Sequence, residues 1–154
     1  MYSSLLFFHS LFRWLVLAAL LWAIFRAYKG DISRHNFTKI DNALRHWTAT
    51  IAHIQLMIGF SLYFTSPVIS YFFRHFKEAI HSIDTAFFGI IHIVLMFTSV
   101  VIITIGSALT KRKPTDREKF RTMWVWFLVA LVLIFMAIPW PFSPLANRPY
   151  LRTI

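Results

Sequence analysis

Three histidines stand inside apolar runs of this sequence, His9, His53 and His92, together with Arg13 and Gln55. Ionisable side chains in such runs are costly, so each is a functional candidate. Two imidazoles facing each other supply the axial nitrogens of a six-coordinate b-type haem. An arginine matches a carboxylate with two parallel hydrogen bonds, which makes Arg13 a candidate partner for a haem propionate. His9 and Arg13 share a helix face at i, i+4. His46 lies on the same face as His53, two turns earlier, and reads as an interfacial residue that hydrogen-bonds a propionate or a quinone head group.

Other chemistries are excluded by what is missing. The chain has no cysteine, so it has no disulfide framework, iron–sulfur cluster, thiolate zinc site or CxxCH haem attachment. All six acids, Asp31, Asp41, Glu78, Asp84, Asp116 and Glu118, fall in loops or at the ends of apolar runs. A di-iron carboxylate bundle, which needs inward-facing glutamates, is therefore ruled out. A proton pump built on embedded carboxylates is disfavoured.

The elements that must carry these residues are apolar helices. The chain is 58% hydrophobic and 14% charged over 154 residues, against roughly 25% charged in a soluble domain. The apolar residues gather in four runs, about 5–25, 47–64, 86–109 and 121–138. These approach or exceed the roughly 17 residues that a membrane-spanning helix needs. MYSSLLFF lacks a basic leader and Arg13 interrupts the first run, so that run is expected to be a retained span and not a signal peptide. Thr115 and Glu118 form a capping box ahead of the fourth run, and Pro67, Pro114, Pro139 and Pro141 mark stops. Residues 68–82 place Ile69, Phe72, Phe73, Phe76 and Ile80 at helical spacing, as in an amphipathic helix lying in the membrane interface. The expected fold is all-α, a single domain over 1–154. Four transmembrane helices form an up-down-up-down bundle, with one outer interfacial helix.

Charge orients this bundle. Arg26, Lys29, Arg34, Lys39 and Arg45 lie around the first connection, and Lys111, Arg112, Lys113, Arg117, Lys119 and Arg121 around the third. The second connection has Arg74 and Lys77, and the tail has Arg148 and Arg152. The positive-inside rule places both termini outside the cell. The net charge of +10 belongs beside anionic lipid, and no nucleic-acid partner is expected.

Depth then selects a ligand pair. At 1.5 Å per residue His9 lies about 6 Å below Leu5, and His92 about 9 Å below Ala86, both counted from the outer face. Helices one and three are diagonal in such a bundle, so both rings can reach its axis. His9 and His92 are thus the expected haem-iron ligands, with His53, expected to face inward, as the reserve. Gly89 is expected to leave space for the macrocycle. The competing reading is structural, because intramembrane histidines often hydrogen-bond a neighbouring helix.

The strings HSLFRW at 9–14, DNALRHWTATIAHIQLMIG at 41–59, FFGIIHI at 87–93, TIGSALTKR at 104–112 and IPWPFSPLANRPY at 138–150 resemble a family of small bacterial membrane proteins labelled "cytochrome B". The resemblance covers nearly the whole chain. It implies a multi-pass protein of the bacterial inner membrane, four-helical and haem-binding, without a settled reaction. The two histidine pairs of the respiratory cytochrome b are absent, so a two-haem path across the membrane is not expected. The function expected is electron transfer through haem b between quinol and a periplasmic-side acceptor, with a redox partner or a larger membrane complex. The alternative is a non-catalytic membrane subunit or assembly factor whose histidines are structural or hold a metal.

Overall fold

The computed structural model describes residues 1–146 and 148–151; Asn147 and the tail beyond 151, including Arg152, lie outside the described residues. Among the described residues every regular element is helical. The chain runs through α1 (Tyr2–Ile32), α2 (Lys39–Thr65), α3 (Pro67–Arg74), α4 (Phe76–Ala79), α5 (Ile83–Ala86), a π-helical turn (Phe87–Ile91), α6 (His92–Arg112) and α7 (Asp116–Ala137). Three stretches are long and apolar enough to cross a membrane: Tyr2–Ile32, Ile83–Arg112 and Asp116–Ala137. A fourth joins α2 to α3, which bend by 56° where Pro67 starts the new helix. The shortest, with 22 residues, is about 33 Å long, enough for a hydrocarbon core of about 30 Å.

Local chemistry sets the helix ends. The Thr115 hydroxyl accepts from the Glu118 amide, and the Glu118 carboxylate accepts from the Thr115 amide and hydroxyl. A second capping box opens α2. There Asp41 Oδ2 accepts from the Thr38 amide at 2.8 Å and the Thr38 hydroxyl at 2.6 Å. An aspartate in the place of the usual glutamate hid this box in the sequence. Asp41 also accepts from Arg26, which ties α1 to α2. Asp41 precedes the apolar run that begins at Trp47. Burial alone would raise its pKa, but the Arg26 and Thr38 hydrogen bonds outweigh it and hold the carboxyl below its usual range. Asp31 accepts from Trp124 Nε1 at 3.0 Å and pairs with Arg117 at 3.3 Å, joining α1 to α7.

Helix α1 outruns its apolar run at both ends, whereas α2 begins two turns early but ends one residue past its run at Thr65, and α7 begins at Asp116 but stops at Ala137, with Ile138 as its cap. Residues 68–82 do not form one helix. The backbone leaves the helical region at His75 (φ −123°, ψ 41°), which separates α3 from α4. Phe72 and Ala79 are both buried across that break.

Helix α1 packs mainly on α2 and α7, and α6 on α7 and α2, with the α2–α6 seam the most open. Thus α1 and α6 face each other across the core. Leu20, Ala23, Ala27, Ile103, Phe120, Met123, Phe127 and Ala130 fill it. Small side chains recur where helices meet, while Trp22, Phe25, Met57, Val94, Val132, Phe135 and Met136 point outward, each more than half exposed. Small residues between helices and large apolar ones outside are what close packing in lipid requires.

Candidate functional site

The π-helical turn Phe87–Ile91 directly precedes His92. An added residue in a helical turn rotates everything after it, and such turns recur at functional sites. The Gly89 carbonyl in this turn accepts from the Tyr63 hydroxyl at 2.7 Å. His92 Nδ1 lies 2.8 Å from the Ala137 carbonyl oxygen and donates to it, since that oxygen can only accept. Nε2 of a neutral ring then carries the lone pair. Metal-binding histidines are commonly oriented by such a bond to a backbone carbonyl.

His9, on α1, meets His92 with ring centroids 6.3 Å apart and planes at 69°. Gln55 on α2 donates to the His9 carbonyl at 2.9 Å, and its Nε2 lies 3.5 Å from His9 Nε2. A Cβ added to Gly59 would sit 3.3 Å from His9 Cε1, so Gly59 is the glycine that leaves room for the ring. Gly89 does something else. A Cβ there would lie 2.7 Å from the Phe72 ring, so Gly89 admits Phe72 and not a macrocycle, contrary to the sequence expectation.

The two histidines line a cavity of about 590 Å³ together with Arg13, Gln55, Tyr63 and Arg148. The rest of its wall is chiefly apolar, including Leu6, Leu56, Phe60, Phe88, Ile93, Met96 and Ile134. Cofactor sites occupy about 300–1,000 Å³ with few polar groups. Among the described residues three buried side-chain atoms lack a hydrogen-bond partner: His9 Nδ1, Arg13 Nε and Gln55 Oε1. All three belong to residues of this cavity. Buried polar atoms are nearly always paired, so three orphans in one place mark a space shaped for a ligand with polar groups.

Arg13 has no carboxylate partner among the described residues. Its guanidinium donates to the carbonyl of Tyr150, which also accepts from Trp14 Nε1 at 3.1 Å. The tail thereby folds back onto α1, and its Arg148 and Pro149 join the cavity wall. Arg148, on the same tail, pairs with Asp84 at 2.8 Å and lies 4.8 Å from the Phe88 ring centre. Sequence reasoning missed Arg148 because nothing local says that the tail returns.

His53 and His46 lie elsewhere. His53 is exposed and does not face the core with Met57, which is itself 64% exposed. Its Nδ1 contacts the Ala49 carbonyl at 2.7 Å and its Nε2 the Thr104 hydroxyl at 3.1 Å. Both histidines line a separate groove on the α2–α6 seam, so neither reaches the His9–His92 cavity. His35, His75 and His81 are exposed.

Among the described residues no group of three or more His, Cys, Asp or Glu converges on a point that would hold a bare metal ion. Two imidazoles fall short of a tetrahedral zinc site, whereas a porphyrin supplies the remaining four nitrogens of a haem. With metal–nitrogen bonds of about 2 Å, opposed imidazoles on one metal have ring centres roughly 6 Å apart. The His9–His92 centroid separation matches that spacing in length, and the orphaned polar atoms would suit a group with polar edges. Comparison with protein-family models, curated proteins and solved structures returned no match to this chain.

Proposed function

We propose that the protein is a four-span, up-down-up-down membrane bundle that binds one b-type haem between His9 and His92. It would pass electrons between a membrane quinol and an acceptor at the outer face of a bacterial inner membrane. The observation that carries the reading is the 6.3 Å approach of the two imidazoles from diagonal helices, inside a cavity lined by every orphaned buried polar atom among the described residues. The alternating arrangement is supported on two seams by residue pairs that run in opposite order: His9 with Gln55 and Arg26 with Asp41 between α1 and α2, and Arg45 with Ser107 and Tyr63 with Gly89 between α2 and the stretch from the π-helical turn through α6.

Bound haem would supply a one-electron couple. The chain's own residues would bind and orient it. His92 is held by Ala137, His9 is left room by Gly59, and Arg13 offers an unpaired Nε–H to an anionic edge group. The chiefly apolar wall lowers the local dielectric, which strengthens each of these contacts.

A second reading is favoured by two bonds. His92 to Ala137 and Arg13 to Tyr150 are each sufficient as structural ties, so a non-catalytic membrane subunit or assembly factor would have use for both residues. Oxidised and dithionite-reduced spectra of protein made with ample haem discriminate the two. The haem reading expects a low-spin bis-histidine spectrum that His9→Ala and His92→Ala each abolish and His53→Ala leaves intact. A haem-free protein leaves the structural reading standing. A reporter fused after Ile154 should be active only if it works in the periplasm; activity in the cytoplasm would move the cavity to the inner face.

A further inference from the structure

The groove on the α2–α6 seam has a volume of about 400 Å³, and its lining includes Arg45, His46, Ser107 and Lys111 but no acid. Arg45 is only 7% exposed. All of its acceptors are neutral: Asn42 Oδ1 at 3.0 and 3.2 Å, the Ser107 carbonyl at 3.0 Å and the Ser107 hydroxyl. Among the described residues no carboxylate forms an ion pair with Arg45 or Lys111, whereas Arg26, Lys119, Arg117 and Arg148 each hold one. The neutral hydrogen bonds offset part of the cost of burying this guanidinium, and an anion beside it would offset more.

The surroundings say which anion. Ile54 and Met57 on α2 follow the groove residues Thr50 and His53 by four places, and Val101 and Ile105 on α6 precede Thr104 and Ala108 by three, so these exposed apolar side chains stand one helical turn from the groove. An occupant therefore needs an anionic oxygen group at one end and hydrocarbon at the other. A phosphate diester accepts from guanidinium and ammonium together. A zwitterionic phosphate lipid would bring its own cation up to Lys111 and Arg45, and only a lipid with net negative charge avoids that repulsion.

We propose that this groove binds an anionic phospholipid, its phosphate held by Arg45 and Lys111 and its acyl chains laid along the exposed apolar side chains of α2 and α6. The site uses the membrane-spanning reading and does not depend on haem in the other cavity.

Native mass spectrometry of the full-length protein in non-ionic detergent tests this with two probes, phosphatidylglycerol and phosphatidylcholine of the same acyl chains. Wild type should bind phosphatidylglycerol at least fivefold more tightly. Near-membrane electrostatics predict about a fivefold loss of that affinity per basic side chain removed, so Lys111→Gln should nearly equalise the two lipids. Lys111 makes no side-chain hydrogen bond or ion pair among the described residues and is exposed, so this variant keeps its fold. Arg45→Gln should lose more, and helix content by circular dichroism checks that it still folds. Equal binding of the two lipids by wild type, or undiminished phosphatidylglycerol binding in Lys111→Gln, overturns the proposal. So does full displacement of the lipid by millimolar inorganic phosphate, which would make the groove a site for free phosphate.

Discussion

His92 Nδ1 donates to the carbonyl oxygen of Ala137 at 2.8 Å, and that oxygen is one the backbone of α7 cannot satisfy. The residue four places further on is Pro141, which has no N–H to give. The end of one helix thus fixes the ring orientation of a histidine on another.

The two cavity histidines should differ in the ligand-free protein. His92→Ala leaves the Ala137 carbonyl unpaired and should cost about 1–3 kcal/mol. His9→Ala removes a ring whose Nδ1 already lacks a partner, so it should cost less. Thermal unfolding of both variants in detergent, prepared without haem, gives the order. A larger loss for His9→Ala would mean that His9 is the structural member of the pair.

Two glycines should fail differently. Gly59→Val pushes β-branched bulk toward His9 Cε1, so haem retention should fall at least tenfold while the bundle stays folded. Gly89→Ala sets a methyl 2.7 Å from the Phe72 ring and should destabilise by about 1–3 kcal/mol through overpacking. Phe72→Leu should cost less on the Gly89→Ala background than on wild type. Additivity in that double-mutant cycle would argue that the two residues do not compete for the same space.

Arg13→Leu should release the tail. It removes the guanidinium that donates to Tyr150, so limited proteolysis should cut the residues after Pro141 faster than in wild type. Insertion should not worsen, because a mid-span arginine costs about 2.5–3.5 kcal/mol on insertion scales. Unchanged cleavage would show that Trp14 and Ser10 anchor Tyr150 without Arg13.

Asp41 gives an acid limb to stability. Its folded pKa lies below the unfolded value of about 3.9. Its contribution is therefore complete above that value and is lost as pH falls through the lower folded one. Asp41→Asn should lower stability at neutral pH by about 1–3 kcal/mol and flatten the decline below about pH 4. A decline as steep in the variant as in wild type would assign the acid sensitivity to another group.

Much of the helix pattern was local and so could be read from sequence. Apolar runs, the Thr115–Glu118 box and the prolines act within one turn of themselves. The meeting of His9 and His92 was also within reach, because helical rise is constant and depth is a matter of counting residues from the outer end. Likewise His46 and His53, two turns apart, do share one face. Which way that face points was not local. Rotation about a helix axis is set by packing, and it turned His53 toward an open seam, away from the core where it was expected. The π-helical turn before His92, the Ala137 carbonyl that orients it, the exchange of roles between Gly59 and Gly89, and the neutral setting of Arg45 all depend on which neighbour arrives from a distant part of the chain. The tail makes the same point. Pro139 and Pro141 announce that α7 ends, but the placement of Ser10, Arg13 and Trp14 in space is what brings Tyr150 back to α1.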